Sequence, residues 1–519
     1  MIEQLKSISF AKKLIMTVLK VIFIYLFTQF IFLTSVGQSP NILWQKSLGG
    51  SYYDKAVSVI ELEDGGYIVG GHSQSSNFDL LINHGGYDWW IVRLNNSGNI
   101  LWQKTLGGSN DEYLRKIIKT PDGSILCIGD TQSNNGDITS YMDQIDFWVT
   151  KIDLSGILIW EKCYGGVNID RGYSVCNTDD GNFMIAGSTE SQYPYIENNH
   201  GLSDFLLIKI DQEGNKIWQK TYGGSGHETC KSIKKSSNSG YLLIGNSSSI
   251  DGNLSNNYGE QDVWMLKIDN EGIIQWKQNF GGSKDDFINN FIEDHEGNFV
   301  IIGETYSFDI DATDNHGENG SRDFFIIKVS AQGQKIWSNC YGGSSEEYAR
   351  GIVESNGSEY VVVGESYSND GQATNNIGSA DIWIIKLNII DGELIWQKKY
   401  GSEGHDEPND LILTFDNNFL FVGNTLPVQN FNDVTQNYGG DDFWIVKLLN
   451  NDCVKNLSLK TDMLYGNKNF SSSENISSSI KVLSSTSNII YSAGKSILLQ
   501  SGFSTQRGAV FEAKIEGCN

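Results

Sequence analysis

Short runs in which apolar residues alternate with polar ones, or follow one another without a break, recur from residue 41 to residue 448, with Gly, Asn, Asp and Ser clustered between them. One stretch sets the pattern: YDKAVSVIEL, then GYIVGGHSQS after the turn Asp64-Gly65-Gly66, then DWWIVRL, then NILWQKTLG. Each run is β-branched or aromatic and bounded by turn residues, so four short strands are predicted. A Gly count of 56 against 5 Pro suits tight turns between such strands, because Gly supplies the positive-φ positions turns need.

The pattern repeats. The Trp ahead of the QK-x-x-GG element stands at Trp44, Trp102, Trp160, Trp218, Trp276, Trp337 and Trp396, at intervals of 58, 58, 58, 58, 61 and 59. The Asp opening the D-x-W-I-V-K element stands at Asp88, Asp146, Asp204, Asp262, Asp323, Asp381 and Asp442, at intervals of 58, 58, 58, 61, 58 and 61. Two independent markers keep one period, the signature of a repeat architecture. A four-stranded antiparallel unit of this length, arranged radially, is a propeller blade. A linear solenoid would need atypical capping repeats, which the sequence lacks. The seventh copy, DFWIVKLLNN, stops without a Trp strand, whereas residues 41–50, NILWQKSLGG, are a Trp strand without a blade. The expectation is an all-β, seven-bladed β-propeller over residues 41–449. Its amino-terminal strand, residues 41–49, is expected to complete the last blade and remove the free edges.

Twelve of the 13 Trp fall at two repeat positions: the seven above, and Trp90, Trp148, Trp264, Trp383 and Trp444 in the third strand, where Leu206 and Phe325 serve in the other copies. Large aromatics at one place per blade fill the wedge between blades; a row of sugar-stacking platforms is the sharper alternative. Trp89 falls outside both positions and is the candidate exposed contact. A basic residue follows the third-strand Asp by five in every copy: Arg93, Lys151, Lys209, Lys267, Lys328, Lys386 and Lys447. An acid opens the first strand of every blade: Asp54, Glu112, Asp170, Glu228, Asp286, Glu347 and Asp406. If that strand is innermost, the seven acids ring one mouth of the channel, either as a cation-binding ring or as a repeated turn-capping or ion-pairing position, the second being favoured.

Loops between the second and third strands are rich in Asp, Asn and Gly, as in SFDIDATDNHGENGSRD. Oxygen-rich loops suit Ca²⁺, and Asp309, Asp311 and Asp314 are the densest cluster, although Asx-rich turns form without metal. No other cofactor is expected. No G-x-S-x-G, H-E-x-x-H or phosphate-cradling Gly loop occurs, and the GG of LGGS recurs too regularly to be a nucleotide site. The seven His are scattered; His84, His200 and His316 share one loop position, and His227 and His405 another.

The formal net charge is −25. Lys6, Lys12 and Lys13 precede an apolar run ending at Ser35-Val36-Gly37, which reads as a secretory signal peptide over residues 1–37 cut before Gln38. The alternative, an uncleaved anchor, has a largely apolar, uncharged run of 16 residues after Lys20 against the ~20 a spanning helix needs. Without residues 1–37 the chain holds 34 basic and 62 acidic residues, a net charge of −28. So acidic a surface repels nucleic acid and anionic lipid. Of the seven Cys, an odd number for a secreted chain, Cys453 and Cys518 bracket the last segment and form the one disulfide candidate.

The pattern W-x-K-x-Y-G-G-S…D-G-G-Y-I-V-x-G…D-x-W-I-V-K-L-D-x-x-G resembles the secreted bacterial β-propeller repeats of the SBBP-like type abundant in Bacteroidota, over roughly residues 41–448. Asp211…Gly214…Trp218 is also similar to the Trp-docking repeats of quinoprotein propellers, but the spacing departs and no quinone-binding residue carries over. Residues 453–519 are Ser-rich and free of Trp, and YSAGKSILLQSGFSTQRGAVFEAKIEGC is similar to the 3-coathanger stack module of secreted proteins. There Ile497, Leu499, Phe503, Val510, Phe511 and Ile515 read as short strands of a small stacked β module. The resemblance implies an accessory or surface-display role and names no activity.

The expected function is that of a secreted or cell-surface, non-enzymatic scaffold, periplasmic placement remaining open, that binds a protein or glycan through propeller loops. The expected assembly is a monomer. The rivals are a polysaccharide hydrolase or lyase using two carboxylates of the acidic ring, and a structural part of a surface layer.

Overall fold

The computed structural model describes residues 39–450, apart from 81, 255–256, 318–319 and 427–431, together with the strands and a few adjoining positions of residues 456–514. The leader expected over residues 1–37, and Cys453 and Cys518, lie outside the described residues. Seven antiparallel four-stranded sheets form the blades of a propeller. The first blade runs Asp54–Glu61, Tyr67–Ser73, Asp88–Leu94 and Ile100–Leu106 from the axis outward. The seven first strands, Asp54–Glu61, Glu112–Lys119, Asp170–Asn177, Glu228–Lys235, Asp286–Glu293, Glu347–Ser355 and His405–Leu413, stand innermost.

The ring closes as the orphan strand foretold. Asn41–Leu48 pairs antiparallel with Asp442–Leu449, from Asn41 opposite Leu449 to Leu48 opposite Phe443. It takes over the contacts of an outer strand: Gln45 Oε1 accepts the Trp444 indole N–H at 2.8 Å, as Gln103 does for Trp90 and Gln397 for Trp383. The Tyr400 hydroxyl and the Lys398 ammonium both donate to the Pro40 carbonyl, at 2.6 and 2.9 Å.

Seven apolar clusters, each shared by two neighbouring blades, make up the core. Second and third strands are buried on both faces, which is why they read as unbroken apolar runs. Six of the seven outer-strand Trp residues lie on the turn between the third and fourth strands of the next blade, whereas the seventh blade, completed by the amino-terminal strand, has no such turn to receive Trp396. Trp102 donates to Leu154 O at 2.9 Å, and a Cβ on Gly156, at φ +81°, would stand 3.1 Å from its ring. The aromatics thus seal the blades together, as the wedge-filling reading expected.

The repeated basic residue is explained on the face carrying the first-to-second-strand turns. Lys151 pairs with Asp122 at 2.7 Å, Lys209 with Asp180 at 2.7 Å, Lys328 with Asp294 at 3.1 Å, Lys386 with Glu359 at 2.7 Å and Lys447 with Asp416 at 2.7 Å, and Arg93 pairs likewise with Asp64. Lys267, whose blade has Asn238-Ser239 in place of an acid, donates to the Ser239 carbonyl. Each pair ties a hairpin turn to the third strand of its own blade.

The tail is built differently. Asn456–Leu459, Asn475–Ser478 and Ser496–Leu499 stack parallel and in register, as do Asn467–Ser472, Asn488–Ala493 and Val510–Lys514. Lys481–Val482 pairs parallel with Ser504–Thr505. Successive strands of a stack lie 19 to 23 residues apart in sequence, the geometry of a short parallel coil. Ile476, Ile489 and Tyr491 form its centre, with Ile497, Phe503 and Phe511 packed on them. Leu499 and Val510, grouped with those apolar residues by the sequence, face outward, and Ile515 lies outside the described residues.

Candidate functional site

The acids expected to ring the channel mouth do open the innermost strands, but they do not face the channel. All seven are enclosed, and each carboxylate is consumed in fixing the connection between one blade and the next. Asp286 accepts the Gly282 N–H at 2.6 Å and the Ser307 hydroxyl at 2.9 Å, and also bonds Thr305. Glu228 accepts from Gly224 N–H, Ser247 and Ser249, each at 2.7 Å. The same bonds recur at Asp54, Glu112, Asp170, Glu347 and Asp406. The turn-capping alternative therefore describes them. A glycosidic mechanism built on these seven has no carboxylate to offer a substrate.

The calcium cluster is likewise dispersed. Asp309 accepts the Ser283 N–H at 2.8 Å, Asp311 the Gly281 N–H at 3.2 Å, and Asp314 the Cys340 N–H at 3.2 Å. Asp311 also pairs with Lys335. Two of these positions are repeat positions: Asn77, Asn135, Asp251 and Asp370 do for Ser51, Ser109, Ser225 and Ser344 what Asp309 does for Ser283. The loops are rich in Asp and Asn because each must satisfy the exposed amides of a GGS turn. Among the described residues no group of three or more His, Cys, Asp or Glu converges on a metal position. His84, His200 and His316 each place Nδ1 within 2.7–2.8 Å of their blade's third-strand Asp.

Trp89 is not an exposed contact. It is fully buried, with its ring centroid 4.2 Å from that of Trp148. The same position holds Phe147, Phe205, Phe324 and Phe443 in other blades, so it belongs to the wedge. Its indole N–H is buried with no acceptor. Trp89→Ala is expected to cost about 3–5 kcal/mol in denaturant unfolding. Trp89→Phe, which restores the residue common to the other blades and removes the unpaired donor, is expected to stay close to wild type. Unchanged stability in Trp89→Ala would return the residue to the surface.

What the repeat conceals lies on the axis. Every innermost strand carries a β-bulge three residues beyond its capping acid, and the bulged residues are Val57, Arg115, Tyr173, Lys231, Asn289, Arg350 and Asn409. A bulge re-aims a side chain. All seven turn into one axial cavity of about 560 Å³, lined by residues of all seven innermost strands. Six of the lining side chains are cationic (Arg115, Lys116, Lys231, Lys234, Lys235 and Arg350) and two are anionic, Glu407 and Asp410.

Behind the bulges a second ring comes from the second strands: His72, Asp130, Ser188, Asn246, Glu304, Glu365 and Asn424, all buried. It props the bulge residues. Arg115 bonds Asp130 at 3.0 and 3.1 Å, Asn289 bonds Glu304 at 2.7 Å, Arg350 bonds Glu365 at 3.0 Å, and Glu407 lies 3.9 Å from Arg350. Lys231 has no acid behind it in its own blade: Asn246 stands there and accepts the Ile288 N–H at 2.9 Å. One tier on, Lys116 pairs with Asp410 at 2.8 Å, while Lys234 donates to the Phe291 carbonyl. Burial, with Arg115 and Arg350 adding repulsion, holds Lys231 down to about 8; burial, with Lys116, does the same for Lys234, also to about 8.

Aromatics and guanidinium groups interleave toward the loop-bearing mouth. Arg322 lies 4.4 Å from the centroid of Tyr306 and 4.5 Å from that of Tyr348, and Arg115 lies 5.5 Å from that of Tyr113. Sequence reasoning missed this site. The available signal was the third residue after the capping acid of the first strand, which reads Val, Arg, Tyr, Lys, Asn, Arg, Asn across blades whose neighbouring positions hold their character.

No family model matches the chain. It is 22% identical over 214 residues to the regulatory protein FlaEY of Caulobacter vibrioides, a match covering 38% of this chain and 22% of that protein. The chain therefore spans about a fifth of the length of the curated relative it matches. Among solved structures it is similar to the Pan2 WD40 domain of Neurospora crassa, at 11% identity and a TM-score of 0.42, over 77% of this chain and 95% of that one. It is also similar to a europium-containing methanol dehydrogenase, at 11% identity and a TM-score of 0.38, over 78% and 93% of the two chains.

Proposed function

We propose that this protein is a non-enzymatic recognition scaffold that holds a protein or glycan ligand at its axial channel. The observation that carries the reading is the divergence of the bulge ring. Seven equivalent backbone positions present seven side chains of five residue types to one cavity, while the capping acids, wedge aromatics and hairpin ion pairs around them stay near-uniform. Repeated positions carry the fold, and the position freed from repetition faces the ligand. The leader expected over residues 1–37 supports a secreted or surface-held protein, and the tail coil is read as its display or attachment module.

The test is binding of residues 38–519 to a glycan panel and to extracellular proteins, with and without calcium. Binding that does not depend on calcium, and that survives Asp286→Asn with a change below about twofold, is expected, because that carboxylate is walled off from the channel. Release of shorter products from any polysaccharide on the panel would overturn the scaffold reading.

A further inference from the structure

We propose that the axial channel receives the anionic group of an acidic glycan, a uronate carboxylate or a sugar sulfate, with Lys231 as its counter-ion between Arg115 and Arg350. The inference rests on the scaffold reading above and names its ligand class. The lining is cationic in a chain whose net charge is −25, so the positive charge is concentrated against the composition of the whole. The two bulge arginines are held in place by acids of their own blades, but Lys231 makes no ion pair among the described residues. Its ammonium stands 4.5 Å from the centre of the Tyr173 ring. A cation taken largely out of water is costly until an anion joins it. A carboxylate or sulfate entering along the axis supplies that anion, and Asn289 offers a polar neighbour in the next blade.

The surface narrows the class further. A densely charged polyanion or an acidic protein is repelled by the remainder of the molecule. A sugar chain with at most one charge per ring is repelled far less. The cavity volume falls within the range of small-ligand sites, about 300–1,000 Å³.

The experiment is calorimetric titration of residues 38–519 with oligogalacturonate, its methyl ester, a sulfated oligosaccharide and inorganic sulfate. At least one acidic sugar is expected to bind while the ester does not, the two acidic arms distinguishing carboxylate from sulfate. Lys231→Gln should weaken binding about tenfold or more. Lys231→Arg should largely retain it, and Lys104→Gln on an outer strand should match wild type, with equal melting temperatures showing that all are folded. Titrations at pH 8 in two buffers of different ionisation enthalpy should reveal proton uptake, because the anion reprotonates lysines held low by burial and by Arg115, Arg350 and Lys116, against the pull of Glu304, Asp130 and Asp410. Equal binding of acid and ester, an unaffected Lys231→Gln, equal heats in the two buffers, or binding of inorganic sulfate alone would each overturn the assignment. If no acidic sugar binds but a neutral glycan or a protein does, the channel inference falls and the scaffold reading stands. If acidic sugars bind and are cleaved, the anion site stands and the scaffold reading falls.

Discussion

A chain beginning at Gly50 is expected to lose cooperative thermal unfolding at ambient temperature, and a synthetic peptide of residues 38–50 is expected to restore it in trans. The strand removed, Asn41–Leu48, is one of four in its blade, and its loss uncovers the whole hydrogen-bonding edge of Asp442–Leu449. Two large side chains leave with it. Leu48 is buried beside Val92 and Ile445, and Trp44 lies on the turn of the first blade with its ring centroid 6.0 Å from that of Tyr67. Truncating a buried Leu costs about 2–5 kcal/mol and a Trp about 3–5. Together with the lost ladder this is comparable to the ~5–15 kcal/mol that holds a typical domain folded. Rescue follows because the strand joins by edge pairing, as β-augmenting peptides do, and it should rise with peptide concentration. The check is a melting curve of the truncated protein with and without peptide. Wild-type melting without peptide would mean that the ring does not depend on its seam.

This closure could be read from the sequence because it is a matter of counting: a Trp strand without a blade and a blade without a Trp strand. The capping acids were legible for a related reason, since a residue that does the same work in each blade repeats with the blade. The channel was not. Lys231 lies in ETCKSIKK, which reads as an ordinary alternating strand, and only the bulge between Cys230 and Ser232 turns that lysine to the axis. Bulges arise from the backbone geometry of strand pairs, and no residue type in this strand announces one. Trp89 misled for the opposite reason: its difference from the neighbouring Phe residues concerns size, whereas its position is as regular as theirs. Asp309, Asp311 and Asp314 misled because proximity in sequence was read as convergence, when their carboxylates reach three separate amides.

The melting temperature of residues 38–519 is expected to fall as pH rises from 5 to 8, and Asp442→Asn is expected to recover part of the loss at pH 8. At each junction between blades, the third-strand Asp of one blade and the first-strand acid of the next meet at the first Gly of the GG turn. A Cβ on Gly49 would overlap Asp442 Oδ1 and lie 2.7 Å from Asp54 Oδ2, and the corresponding pairs meet at Gly107, Gly223, Gly281, Gly342 and Gly401. In all seven third-strand Asp residues Oδ1 is buried without a conventional hydrogen bond. Two carboxylates so placed, both out of water, cannot readily both ionise. Burial raises Asp54 to about 6 and Asp442 to about 8, with Asp54 and Asp79 adding repulsion to the latter; Asp146, Asp286 and Glu347 reach about 7, and Asp262, Asp323 and Asp381 about 6. A carboxyl raised in the fold stabilises it fully below its unfolded value near 4, and that contribution is lost as pH climbs through the folded value. Three kinds of opposing group do not reverse the sign. Lys231, Lys234 and Lys399, each held down to about 8 by burial, favour higher pH only from the top of this window upward. His72, held down to about 3 by burial, favours higher pH below 6.5 but is a single site. The lowered acids, Asp122 and Asp180 among them, lose their contribution only below about pH 4. Asn at position 442 keeps an acceptor for the Tyr438 N–H and turns an N–H₂ toward Asp54, replacing repulsion with a hydrogen bond. Its gain should therefore be present at pH 8 and nearly absent at pH 5. A melting temperature that climbs steadily from pH 5 to 8 would show that the paired carboxylates are ionised in the fold, and would require another source of positive charge at every blade junction.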